Sequence, residues 1–332
     1  MSIKSGVALQ PVDPPEVFEG MVDDIEGMRF EELWLTDSSL HARYVYVYLA
    51  LAARRTSGLQ LGTAVTNPVS RHPAVTATAF ATINELAGGR AVMGIGAGDR
   101  PLLSLGEKPA RLARLEGAIE AIREIWTGKH VDYEGDGFSL VDAHMREPGP
   151  TSMPVYMSAS GPKTLQLAGR VADGVVLLAG LHPEGLQWAI DHIDRGVEEA
   201  GRSARPKITV FAYGAIDDDT DAALDAGRTI AAWFPQTAPV YCEMAGLSTD
   251  LIQQVRSMYE GGEFQEAAAA ARLLPDDFVH RMALAGDLDR AKEHLRNMRD
   301  LGVDGVSVFP LGEDRMKTVR NFRKAYDEVI GS

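Results

Sequence analysis

Short apolar runs alternate with longer amphipathic segments along this 332-residue chain, and no other feature restricts its fold so strongly. Strands separated by helix-length segments are joined as crossovers, which calls for a parallel sheet wrapped by helices. "GVALQ" (6–10) precedes a helix that begins near Pro14-Pro15-Glu16, "ELWLT" (32–36) precedes "YVYVYLALAARRT" (44–56), and "LQLGTAV" (59–65) precedes "AVTATAFATINEL" (74–86). "AVMGIG" (91–96) leads to "ARLARLEGAIEAIREIW" (110–126), whose Leu112, Leu115, Ile119, Ile122 and Trp126 recur at helical spacing. A loop-rich stretch containing Gly135, Gly137, Pro148, Gly149 and Pro150 follows. The alternation then resumes with "PVYMSA" (154–159) and "GPKTLQLAGRVA" (161–172), then "GVVLLA" (174–179) and "PEGLQWAIDHIDRGVEEAG" (183–201). "KITVFAYGAI" (207–216) precedes a helix-rich stretch, and "DGVSVFPL" (304–311) precedes "EDRMKTVRNFRKAYDEVI" (313–330). Eight such units in this length predict an α/β fold, a (β/α)₈ TIM barrel with insertions. No linker interrupts the pattern, so residues 1–332 read as a single domain, with 217–280 as a helical insertion too long for an ordinary crossover.

Charge narrows the function. A formal net charge of -14 opposes attraction to nucleic acid and to anionic membrane surfaces. No window approaches the roughly 18 consecutive apolar residues that a membrane helix needs. The one cysteine, Cys242, forms no intrachain disulfide, which fits a reducing cytoplasm. No histidine pair has zincin spacing, no His, Cys and carboxylate set suggests a metal site, and no G-x-S-x-G elbow occurs. A small-molecule substrate is the expected partner.

Barrel enzymes place their chemistry at the C-terminal ends of the strands, so the polar residues that follow each apolar run are the candidates. They are Asp37 and Ser38 after the second run, Thr66 and Asn67 after the third, Asp99 after the fourth, and Ser158, Ser160 and Gly161 after the fifth. Each is also a residue type that commonly caps a helix or shapes a turn. Four successive runs nevertheless bring polar groups to one rim.

Two of these stretches carry more. In "RAVMGIGAGDR" (90–100) a dinucleotide fingerprint aligned on Gly94 and Gly96 needs glycine at 99, where a carboxylate stands that would repel a pyrophosphate. The glycines are read instead as letting a flat ring lie against the backbone and the chain turn sharply at the rim. In "SASGPKTLQLAG" a strand ends in small residues and a helix opens at Pro162, with Lys163 adding positive charge. Its free backbone N–H groups suit a phosphate or carboxylate, and an ordinary capped helix is the other reading.

The stretch "LGTAVTNPVSRHPAVTATAFATINELAGGRAVMGIGAGD" (61–99) resembles the signature region of the bacterial luciferase-like superfamily. "LWLTD", "YLALAA", "VTNP" and "GGRAVMGIGAGD", then "PVYMSASGPKTLQLAGRVADGV", "AGLHPEGLQ" and "DLGVDGVSVFPLG", resemble its coenzyme F420-dependent, methylenetetrahydromethanopterin reductase-like branch over nearly the whole chain. That resemblance implies a deazaflavin at the C-terminal mouth, beside a bulge in the third strand whose non-prolyl cis bond would be Ala64–Val65. It assigns phosphate-side contacts to Ser158, Ala159, Ser160 and Gly161. It assigns the surroundings of the ring and its side chain to Asp37, Thr66, Asn67, Gly98 and Asp99.

This chain departs from the branch at the rim. The family's Thr-Asp-His reads Thr36-Asp37-Ser38, with His41 as a possible replacement, and Ala8 stands where a first-strand glutamate is expected. A different small substrate is therefore expected. The implied chemistry is hydride transfer with Asp99 as proton donor, or else as acceptor for ring or ribityl hydroxyls, while Asp37, His41 and His72 are further candidates. The alternatives are an FMN-dependent monooxygenase of the same superfamily and a non-catalytic luciferase-like subunit. Tyr44, Trp233, Phe234 and Tyr241 either shape an apolar pocket or pack the core. The apolar helix "YVYVYLALAA" fits a subunit contact in a dimer or tetramer, or deep burial.

Overall fold

The computed structural model describes residues 3–147, 149, 153–259 and 267–331. Each expected apolar run forms a strand within two residues of its anticipated ends: β1 (Lys4–Leu9), β2 (Glu32–Leu35), β3 (Gln60–Thr63) and β4 (Ala91–Ile95) in the first part of the chain. The pair β5 (Val131–Gly135) and β6 (Phe138–Ala143) follows, then β7 (Val155–Ala159), β8 (Gly174–Leu177), β9 (Lys207–Ile216), β10 (Leu284–Gly286) and β11 (Gly305–Pro310). The main sheet runs β10-β9-β11-β1-β2-β3-β4-β7-β8, and β9 also pairs with β8, so the sheet closes into the expected (β/α)₈ barrel. The short β10 is an addition that pairs with the far end of β9, from Gly214 to Ile216. Four of the eight barrel strands are buried at every residue and the other four at all but one or two, as parallel strands covered by helices must be.

Packing divides the chain into two units. In the first, Ala8–Ala159 with Leu167–Val176, Trp34 lies against Tyr156 at 5.5 Å between ring centroids and donates its indole N–H to the buried Glu32 carboxylate at 3.0 Å. Residues 32 and 34 share one face of β2, which brings donor and acceptor together. The helix Leu112–Trp126 buries the apolar face read from its spacing, and Trp126 Nε1 caps the carbonyl of Ala77 at 2.9 Å. The stretch expected to be only a loop contains the antiparallel hairpin β5–β6. Its Asp136-Gly137 turn, with Gly137 at φ +81°, is a recognisable hairpin signal, but the strands are too solvent-exposed to show a regular apolar alternation. Pro148 and Pro150 lie outside the described residues.

The second unit comprises Met1–Val7, Ser160–Gln166 and Leu177–Ser332. Tyr213 and Phe309 stack across β9 and β11 at 4.4 Å, and the Tyr326 hydroxyl bonds to the Ile3 carbonyl. The long segment after β9 is helical in its described parts, at Thr220–Ala231, Phe234–Thr237, Pro239–Met244, Thr249–Met258, Ala268–Ala271 and Asp276–Met282. Residues 260–266 of it lie outside the description. Phe234 and Tyr241 are buried, so core packing is what they do.

Candidate active site

The chain beyond β3 departs from regular pairing. Leu61 and Gly62 face Ala91 and Val92, yet Thr66 bridges Ile95, so the third strand carries one extra residue between these points and forms a bulge. The Ala64–Val65 peptide is cis, as the resemblance implied. Thr66 then rejoins the ladder, its N–H donating to the Gly94 carbonyl at 2.9 Å and its carbonyl accepting from Gly96 N–H at 2.8 Å. The glycines of "GIGAGD" answer to this bulge. A Cβ on Gly94 would overlap the Thr63 carbonyl, and one on Gly96 would meet Val65 at 2.8 Å and Ser158 at 3.3 Å. The space beside Gly94 and Gly96 is thus taken by the protein's own third strand, where a ligand ring had been expected. Gly98 supplies the sharp turn, at φ +84° with Leu102 and Asn67 close against it.

Behind the bulge lies a buried polar cluster. The Asp37 carboxylate pairs with the Arg71 guanidinium, with side chains only 2% and 10% exposed, and accepts from the Thr66 hydroxyl at 2.8 Å. Arg71 Nη2 also donates to Thr66 Oγ1 at 3.1 Å, and the Tyr46 hydroxyl lies 3.3 Å from that same oxygen. The guanidinium sits 5.6 Å from the Tyr44 ring centroid and 5.0 Å from that of Tyr46. Burial holds its pKa down at about 10, which leaves it charged at neutral pH. Asn67 is inward as well, its side-chain oxygen accepting from Val69 and Ser70 N–H at 3.0 and 2.8 Å, an Asx turn that shapes the loop.

Asp99 is placed differently. It stands at the N-cap of the short helix Arg100–Ser104, but its carboxylate makes no capping bond. The residue is exposed to water, yet enough protein surrounds its carboxylate to desolvate it. Desolvation raises its pKa above the ordinary carboxylate value, against smaller lowering effects from its own backbone N–H and from His41. His41 reaches this neighbourhood, with Nε2 3.4 Å from Ser104 Oγ. His72 is engaged elsewhere: Nδ1 caps the helix Pro73–Leu86 at Ala74 N–H, and Nε2 lies 3.1 Å from the Ser139 carbonyl.

Ser158 and Ala159 end β7, half-buried and buried respectively. In the other unit, Ser160 uses its carbonyl to accept from the Tyr241 hydroxyl at 2.7 Å, and Gly161 precedes the helix Pro162–Val171. A Cβ on Gly161 would have nothing within 4 Å, so this glycine borders open space. Ala8 is fully buried within β1. Among the described residues, no cluster of three or more His, Cys, Asp and Glu is placed to hold a metal ion, and no helix is long and apolar enough to cross a membrane.

The family described as luciferase-like monooxygenase matches residues 5–305. This chain belongs to that family. Its relatives include the 5,10-methylenetetrahydromethanopterin reductase of Archaeoglobus fulgidus, 35% identical over 96% of this chain and 97% of that one. The F420-dependent glucose-6-phosphate dehydrogenase of Amycolatopsis mediterranei is 29% identical over 90% of this chain and 89% of its own length. The solved structure of the coenzyme F420-dependent tetrahydromethanopterin reductase from Methanopyrus kandleri superposes with a TM-score of 0.84 at 27% identity, covering 98% of each chain. The luciferase-like resemblance and the barrel read from the sequence are both upheld by these matches.

Sequence reasoning missed Arg71 and Tyr46. Arg71 carried a signal, a lone cation five residues after a rim threonine. Tyr46 carried none, because its place in an apolar helix is that of any core residue.

Proposed function

We propose that this luciferase-like chain is a coenzyme F420-dependent oxidoreductase that moves a hydride between the deazaflavin and a small organic substrate. The observation that carries this reading is the bulged third strand together with a desolvated, uncapped carboxylate at Asp99, in a chain whose relatives and structural neighbours include F420-dependent enzymes of similar length. The residues suit such a group. Ser158, Ala159, Ser160 and Gly161 form a contiguous run of small residues ahead of a helix, and the open space at Gly161 leaves its backbone approachable by a phosphate. Asp37, Ala64, Val65, Thr66, Asn67 and Gly98 form the packed wall on which the ring side would rest, and Asp99 is the polar group at its edge.

The bound deazaflavin supplies the hydride. The protein's own task is orientation and protonation. Asp99 is read as the proton donor, because its raised pKa extends the pH range over which its carboxyl holds a proton. Asp37 is committed to Arg71 and Thr66, which suits a supporting acceptor better than an acid. His41, near both Asp99 and Ser104, is a second group able to position substrate. The substrate is read as other than a methanopterin, since Ser38 replaces the family's histidine and the buried Ala8 offers no polar atom.

We read the protein as a cytoplasmic homo-oligomer, with the exposed Val47 and Tyr44 at the helix Val45–Arg55 as the apolar surface available for a subunit contact. Light scattering in solution tests this: a monomer at micromolar concentration rejects it. The cofactor reading is tested by absorbance titration with F420 and with FMN. Saturable F420 binding supports it, FMN binding alone turns the assignment to a monooxygenase, and uptake of neither points to a non-catalytic subunit.

A further inference from the structure

We propose that Arg71 is a positioning residue of this site, clamping one oxygen of Asp37 together with the Thr66 hydroxyl so that the other Asp37 oxygen is held as a fixed acceptor for the cofactor. The inference rests on the F420 reading above and deepens it.

The capacity of one hydroxyl limits what this cluster can bind. Thr66 Oγ1 has a single proton and two lone pairs. Its proton goes to Asp37 Oδ2, and the oxygen faces Arg71 Nη2 and the Tyr46 hydroxyl. Its backbone N–H and carbonyl are spent on Gly94 and Gly96. Thr66 therefore has no polar capacity left for a ligand, and its role is to support Asp37. Among the described residues both bonds to Asp37 fall on Oδ2, which leaves Oδ1 for an outside donor.

Arg71 is itself held from several sides. Tyr44 and Tyr46 flank the guanidinium, the Asn67 turn sets the loop from which it extends, and Arg114 Nη2 fastens that loop by donating to the Pro68 carbonyl at 2.9 Å. A planar fork that both pairs and stacks does not slide as an ammonium would. Among the described residues the buried Arg71 Nε has no partner, so the side chain is placed for Asp37 and Thr66 at the cost of one of its own hydrogen bonds.

The test is a cycle of cofactor affinities, read by absorbance titration with no turnover, on the full chain carrying Arg71→Met, Asp37→Asn, both together, and Arg71→Lys. Arg71→Met leaves a buried carboxylate unpaired and is the variant at risk of not folding; the double variant removes both charges and carries the decision. The expected result is at least a tenfold weaker F420 affinity for Asp37→Asn, no further loss in the double variant, partial recovery of affinity in Arg71→Lys over Arg71→Met, and an unchanged far-ultraviolet circular dichroism spectrum for the double. Additive losses, or affinity in Asp37→Asn and the double equal to wild type, overturn the proposal while the F420 reading stands. Wild-type protein that binds only FMN overturns the F420 reading, and the same cycle is then decided with FMN. Wild-type protein that binds neither overturns both.

Discussion

Asp37 and Asp99 are both rim carboxylates, and their surroundings assign them different tasks. Asp37 is surrounded by donors; Asp99 is crowded but unpaired by any cap. The folded state therefore raises the Asp99 pKa, with consequences for catalysis and for stability. For catalysis, Asp99→Asn is expected to lower turnover by roughly 10² to 10⁴-fold, the usual worth of a positioned acid. F420 affinity should change little, whereas an affinity loss that accompanies the fall would make Asp99 an acceptor for the cofactor. In the wild type, turnover in the reductive direction should decline as pH rises through the raised pKa. For stability, a carboxyl with a raised folded-state pKa contributes fully below its unfolded value, and the contribution is lost as pH rises through the folded one. Asp99→Asn should therefore raise the melting temperature at neutral pH, with the gain fading toward acid. A variant that loses activity and stability together would show that Asp99 holds the rim in place.

At the scale of the element, the bulge makes Gly94 and Gly161 unequal. Gly94→Ala forces a methyl into the Thr63 carbonyl, a backbone atom that cannot rotate away, so the loss should exceed the roughly 1 to 3 kcal/mol of ordinary overpacking and show in chemical denaturation. Gly161→Ala meets nothing, so stability should change by less than about 1 kcal/mol, the scale on which alanine is disfavoured at a helix N-cap, while the phosphate-bearing cofactor binds more weakly. Equal effects of the two substitutions on stability would contradict this geometry. The same region shows how far the sequence could be read. The barrel strands were legible because an apolar run buried on both faces needs no knowledge of its neighbours. The β5–β6 hairpin was not, since its exposed strands are specified by a turn and by local pairs such as the Tyr133–Phe138 stack at 4.6 Å. Rim residues were legible through their position after a strand. The links between them were not: Tyr46 and Arg71 meet Thr66 across 20 and 5 residues of chain, and only the folded loop brings them to one oxygen. The glycines were noticed for the right reason, the lack of a Cβ, and given the wrong neighbour, because a bulge in the next strand leaves no mark on their own.

At the scale of the whole molecule, resistance to acid should be limited by a histidine far along the chain from any rim residue discussed above. His294 lies on the helix Leu288–Asp300, 7% exposed, facing Arg290 of its own helix and His280 of the helix Asp276–Met282, and near the carbonyls of Leu181 and His280. Desolvation first, then the two cationic or titratable neighbours, holds its pKa down at about 4, and His280 is shifted downward as well. Among the described residues neither His294 ring nitrogen finds a hydrogen bond of normal geometry to offset a charge. An unfolded histidine takes up its proton near pH 6.5, so below that value the unfolded chain binds protons that the folded chain refuses. Stability is then shed as pH falls from about 6.5 toward 4, by about 3 kcal/mol for His294 alone. The effect of Asp99 has the opposite sign, so the Asp99→Asn and His294→Leu variants, measured one at a time, separate the two. Guanidinium denaturation of the wild type across this range should show a falling midpoint, and His294→Leu should flatten the fall while it leaves F420 binding at neutral pH intact. An unaltered slope in that variant would place the acid sensitivity in other groups.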